Sequence, residues 1–160
     1  LLDLSRLKID TTRTTMHELR EIIRARVADR DSGELSIMLQ SFGFKHGVPR
    51  NADFVFDARC LPNPHWQPEL RPLTGRDDKV AAFLSADPQV GGMFDAIGAF
   101  LLQWIPCFEK EGRSYLTIAV GCTGGQHRSV YLTEQLSAYL KSRGHGVIVS
   151  HRELGQPPGQ

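Results

Sequence analysis

A chain of 160 residues has the size of one domain with a real core, and 41% hydrophobic with 23% charged residues is the make-up of an ordinary globular fold. Nineteen Lys and Arg against eighteen Asp and Glu leave a net charge of +1, so only a local basic patch, not bulk charge, could mark a nucleic-acid binder. Three widely spaced cysteines (Cys60, Cys107, Cys122) argue against a disulfide framework, and with neither a leader pattern nor an apolar run of about 18 residues the expectation is a cytoplasmic protein with no membrane contact.

The chain opens on Leu1-Leu2-Asp3 without Met and reads as part of something longer. Residues 5–30 read as an extended entry and a helix. Thr15-Met16-His17-Glu18 fits a capping box, and Leu19, Ile22, Ile23 and Val27 recur at helical spacing. "ELSIMLQSFG" (34–43) and "NADFVFDAR" (51–59) are apolar runs bounded by Gly, Pro and Asn, and both read as inner strands. "CLPNPHWQPELRPLTGRDD" (60–78) carries Pro62, Pro64, Pro68 and Pro72; it predicts an ordered, irregular connection. Residues 77–86 predict a short helix, and 87–112 a longer one interrupted at Pro106. "RSYLTIAV" (113–120) is a third strand. Residues 128–144 form a helix with Val130, Thr133, Leu136 and Leu140 along one side and Gly144 as its cap. "GVIVSHREL" (146–154) supplies a last strand, and 154–160 a tail with no reason to be ordered. Strands alternating with helices predict an α/β fold with a mostly parallel sheet flanked by helices, whose ligands sit at the carboxyl ends of the strands. The boundaries expected are a linker and helix over 1–33, a binding domain over 34–153, and the tail.

One such carboxyl end is "AVGCTGGQHRSVYL" (119–132). Gly121, Gly124 and Gly125 let backbone amides converge, and the helix that follows adds orphan N–H groups and the positive end of its dipole. Arg128 offers a planar fork that matches phosphate, and His127 a further donor. Thr123 and Ser129 add hydroxyls. This is a recipe for an anion site. A second reading stands beside it. Cys122 and Arg128-Ser129 satisfy Cys-x5-Arg-Ser, the phosphate loop of cysteine-dependent phosphatases, in which the thiolate attacks phosphorus and the Arg clamps its oxygens. The usual Asp general acid is missing from the Trp66 neighbourhood, "NPHWQPEL", and Gly121 stands where a His commonly precedes the cysteine.

Lys45 and His46 end one strand, Asp57 and Arg59 another, and His65 follows. If the strands are parallel neighbours, His46, Asp57 and His65 join the 122–129 loop around one pocket; otherwise Asp57 and Arg59 are a local ion pair and His65 a packing residue. No spacing of His and Cys supports zinc, and no Gly-x4-Gly-Lys-Ser/Thr is present. Lys141, Arg143, His145, His151 and Arg152 fall within twelve positions and, with Lys45, are the candidate contacts to an RNA backbone.

"SFGFKHG", "DFVFDARCLPNPHW", "LRPLTGRDDKVAAFL", "RSYLTIAVGCTGGQHRSVYLTEQL" and "YLKSRG" together resemble the C-terminal domain of the RapZ family of RNase adaptor proteins, also called the YvcJ family, from about Leu35 to Arg152. The resemblance implies a non-catalytic metabolite sensor and adaptor on a fold like a phosphofructokinase subdomain. It implies glucosamine-6-phosphate, a phosphorylated amino sugar, at Cys122–Arg128, with His46, Asp57 and His65 as candidate contacts to the sugar; the chemistry of a carboxylate further makes Asp57 the candidate partner of the ammonium. It also implies regulatory RNA and RNase E as partners, a homo-oligomer, and ATP or GTP in an N-terminal P-loop domain, with no cofactor in this one. The end "HRELGQPPGQ" departs from the basic tail of enterobacterial members, which weakens the expectation of RNA there. Against the sensor stand the cysteine phosphatase (Cys122 nucleophile, Arg128 clamp) and a purely structural oligomerisation module.

Overall fold

A computed structural model describes residues 35–155. The capping box and helix expected over 15–30, and residues 156–160 of the tail, lie outside the described residues. Four apolar runs extend as β1 (Ser36–Gly43), β2 (Phe54–Asp57), β3 (Tyr115–Cys122) and β4 (Val147–His151). They form one sheet in the order β2-β3-β1-β4, and every neighbouring pair is parallel. β1 and β3 are the central strands. All of β1 is buried, and all of β3 beyond Tyr115, as expected of central parallel strands covered on both faces.

β2 corrects the sequence reading. It is an edge strand of four residues, not an inner one, and its residues alternate between half-buried and exposed. The period is 2: Phe54 and Phe56 turn inward onto Phe100 (ring centroids 5.2 and 5.7 Å), while Val55 faces out. Asp53 fixes where the strand starts. Its amide donates to the Thr117 carbonyl (2.8 Å), and its carboxylate accepts the Thr117 amide (2.8 Å) and pairs with Arg113.

Among the described residues, three helices flank the sheet: α1 (Asp78–Ser85), α2 (Pro88–Lys110) and α3 (Arg128–Ser142). Asp87 caps α2 by accepting the Gln89 amide (2.8 Å), and Pro88 occupies the first turn, where its missing N–H costs nothing. The interruption expected at Pro106 is absent; α2 runs through it to Lys110. A proline so near the helix end forfeits one ladder bond, and buried Ile105 with Phe108 against Phe54 holds the last turn in place. α2 is long and apolar enough to cross a membrane by length and composition, yet Val90, Ile97, Leu101 and Ile105 form a buried stripe in the core.

The core unites residues of one parity in the sheet (Ile37 and Leu39; Leu116, Ile118 and Val120) with Val80 and Leu84 of α1, the α2 stripe, and Leu132, Leu136 and Leu140 of α3. Each such side chain contributes on the order of 1.5–3 kcal/mol of burial. Register decides what this core positions. Gly43 lies opposite Cys122, Asp57 opposite Gly121, and His151 opposite Ser41, so all four strands end at one edge of the sheet. α3 begins at that edge.

Candidate functional site

β3 leaves the sheet at Cys122 and turns through Thr123–His127 into α3. The turn lies directly on the end of β1. Gly125 has φ 75°, and a Cβ there would sit 2.6 Å from the Gly43 amide nitrogen and 2.5 Å from Glu153 Cγ. No other residue fits this position. Among the described residues, no backbone carbonyl or side chain accepts the amides of Thr123, Gly124, Gly125, Gln126 or His127. His127 precedes the helix without a side-chain cap bond. A helix start at the floor of a cleft thus presents a row of uncommitted donors and a positive dipole end.

Arg128 adds a full charge. It is only 4% exposed, and its Nη1 donates to the carbonyls of Arg59 (2.7 Å) and Leu61 (3.0 Å). Nη2 reaches Thr123 Oγ1 (3.3 Å), and Nε is buried without a partner. None of the described carboxylates lies within 4 Å of it. A buried cation without a counter-ion is costly, and an incoming anion would remove that cost.

The cleft has a volume of about 490 Å³. Cys122, Thr123, Gly124, Gln126, His127 and Arg128 line it from the loop, Lys45 from the turn after β1, and Asn63, His65, Trp66, Arg71, Pro72 and Leu73 from the proline-rich connection. No described Asp or Glu lines it. Two hooks fasten the connection over the loop: Gly75 N–H donates to the Gln126 carbonyl (2.9 Å), and His127 Nε2 lies 3.1 Å from the Leu70 carbonyl. Burial pushes the His127 pKa down, so the neutral ring keeps its proton on Nε2 and donates it to Leu70. Cys122 is buried with its Sγ 3.1 Å from Ser129 Oγ.

Of the residues singled out by sequence, Cys122, Thr123, Gly124, His127, Arg128, His65 and Lys45 meet in the cleft. Gly125 and Ser129 stand behind it, one as the close contact with β1 and the other against Cys122. His46 and Asp57 do not line it. The Asp57 carboxylate faces Arg59, accepting from its Nε (3.0 Å) and Nη2 (2.7 Å), and this hydrogen bonding holds its pKa below the usual carboxylate range. The basic cluster read from 141–152 does not form one surface. Lys141 and Arg143 are exposed at the far end of α3, about 20 Å along the axis from Arg128, and His145 lies 3.7 Å from Glu109. β4 then carries His151 and Arg152 back to the cleft end, where Arg152 is buried and the His151 side chain is largely covered. His151 lies 2.7 Å from Ser41 Oγ and 2.7 Å from Glu134, and Arg152 binds the Gly47 carbonyl and Glu153 (2.9 Å).

Sequence reading missed Arg71, Asn63, Gln126 and Glu153. Only the order implied by the prolines hinted at the first two. Nothing local shows that Glu153 takes the Gly43 amide (2.8 Å), or that its carbonyl takes Gln126 Nε2 (2.9 Å).

The chain is similar in sequence to known proteins over the described residues. The RapZ C-terminal domain family matches residues 35–155. A nucleotide-binding protein of Methylococcus capsulatus is 58% identical over 151 residues, covering 94% of this chain and 51% of that protein. One from Thioalkalivibrio sulfidiphilus is 57% identical over 149 residues (92% and 52%), and one from Aliivibrio salmonicida 52% over 148 (92% and 52%). The chain spans about half the length of these relatives.

Proposed function

We propose, from the premise that this chain belongs to the RapZ C-terminal domain family, that it is a non-catalytic sensor whose cleft holds glucosamine-6-phosphate or a similar phosphorylated sugar. The buried Arg128, with no described carboxylate within 4 Å, beside a helix start without a side-chain cap, carries this reading. A phosphate monoester brings about −1.5 to −2 charges and three acceptor oxygens, which is what the loop lacks. Regulatory RNA is assigned to a separate surface that includes exposed Lys141 and Arg143, with Lys45 at the cleft mouth. The same reading makes the chain part of a self-associating RNase adaptor, with RNase E as the partner nuclease. The nucleotide in the relatives' names is assigned to the half of their length that this chain does not span, since Gly-x4-Gly-Lys-Ser/Thr is missing from its sequence.

One contact favours the phosphatase alternative: Ser129 Oγ beside Cys122 Sγ is the hydroxyl that would support a leaving thiolate. Two weigh against it. No described carboxylic acid lines the cleft to protonate a leaving alkoxide, and Nη1 of Arg128 is committed to two carbonyls instead of an open fork. Phosphorus NMR of glucosamine-6-phosphate with this protein, followed over hours, tests the choice. The expected result is a shifted or broadened ester signal, preserved in Cys122→Ser, with no inorganic phosphate growing in. Phosphate release abolished by Cys122→Ser would make the loop a catalyst, and an unchanged spectrum would reject the ligand.

A further inference from the structure

The cleft has a second side that the anion loop does not explain. Trp66, Pro72 and Leu73 give it an apolar wall, and Trp66 is 74% exposed, the most exposed large hydrophobic residue among those described. An indole held in water costs burial energy that a protein normally recovers, so its setting matters. Trp66 ends a short 3-10 turn, Pro64–Trp66, whose backbone is fastened at every step. Asn63 Oδ1 accepts the His65 amide (3.1 Å), the Asn63 carbonyl accepts the Trp66 amide (3.3 Å), and Arg71 Nε donates to the His65 carbonyl (2.9 Å). Pro64 is buried beneath, flanked in the chain by buried Leu61 and Leu70, and the His65 ring meets the indole edge-on with centroids 5.8 Å apart. The indole is therefore presented at the cleft by a fixed backbone and is not a side chain on a loose loop.

An anionic floor site beside an aromatic wall fits a ligand with both parts: a phosphate ester whose carbon skeleton is a ring with an apolar C–H face. We propose that Trp66 is the ring-recognition residue of this cleft. It packs against the C–H face of a cyclic sugar whose phosphate sits on Thr123–Arg128, so the protein selects ring-bearing phosphate esters over ring-less ones of equal charge. This rests on the sugar-phosphate reading above.

Calorimetric titration with glucosamine-6-phosphate and with glycerol phosphate, a ring-less monoester, separates the two ideas. The native protein is expected to prefer the ring ester by tenfold or more. Trp66→Ala should lower affinity for it at least fivefold while leaving glycerol phosphate unchanged, and Trp66→Phe should keep most of the preference. The chain has only two tryptophans, and Trp104 lies on α2 away from the cleft, so a Trp104→Phe background makes Trp66 a lone reporter. Its emission should shift to shorter wavelength on adding glucosamine-6-phosphate and stay put with glycerol phosphate. A native preference that survives Trp66→Ala would overturn the assignment while leaving the sugar-phosphate reading intact. A native protein that binds neither ester would reject that reading and the assignment with it.

Discussion

At the scale of single residues, Arg128 is the decisive group, because its location joins cost and purpose. It sits 4% exposed with one nitrogen unpartnered among the described residues and no described carboxylate within 4 Å, Asp57 acting on it only through a longer-range electrostatic pull, and on the proposed reading an anion would complete the arrangement. Arg128→Ala should therefore weaken binding of glucosamine-6-phosphate by about 1.5–3 kcal/mol, the range for a lost charge-assisted contact. Titration calorimetry reads this directly, and unchanged affinity would move the phosphate elsewhere. Arg128 was legible from its place in the first turn of a helix after a glycine loop. Its bonds to Arg59 and Leu61 were not, since those carbonyls come from nearly 70 residues away.

At the scale of elements, one partly buried chain of contacts ties three of them together. Ser41 of β1, His151 of β4 and Glu134 of α3 lie in series at 2.7 Å steps, and Arg76 stands 3.5 Å from the same Glu134 oxygen. Burial pushes the His151 pKa down and outweighs the opposing pull of Glu134, so the ring is neutral in the fold: Nε2–H donates to Glu134, and Nδ1 accepts from Ser41. The unfolded chain binds the proton first, near the ordinary histidine value of about 6.5. Stability from this group is therefore full above that value and is lost as pH falls below it. His127 acts with the same sign. Urea midpoints should drop between pH 7.5 and 5.5, and His151→Gln should flatten part of that drop; a profile as steep as that of the native protein would show that His151 is not the source. Sequence reading placed His151 among RNA contacts because β4 and α3 give no local sign of facing each other.

At the scale of the whole molecule, the sheet separates two surfaces. The cleft lies at the carboxyl ends of the strands, and Lys141 with Arg143 lies at the opposite end of α3. If RNA uses the second surface, Lys141→Ala with Arg143→Ala should weaken it across sequences and shrink the slope of log affinity against log salt by about 1.4–1.8, at about 0.7–0.9 per phosphate contact. Filter binding over a salt series checks this. A slope that stays the same would move RNA away from the end of α3. Glucosamine-6-phosphate affinity should be untouched by the pair, because no cleft residue changes.

The sequence by itself determined the class of fold and the location of the glycine loop between β3 and α3. Continuous apolar runs announced β1 and β3, helical spacing announced α1 to α3, and glycines before an Arg at a helix start announced uncommitted amides. Those signals are local, set by hydrophobic period and backbone freedom within a dozen residues. Only the tertiary structure decided that β2 is an edge strand and that Asp57 pairs with Arg59 outside the cleft. It also decided that His151 and Arg152 are spent inside the fold, and that a proline-rich connection brings Trp66 and Arg71 over the loop. Each of these depends on strand order and on hydrogen bonds between segments far apart in the chain. Such contacts form only when the whole core closes, and no short stretch of sequence records them.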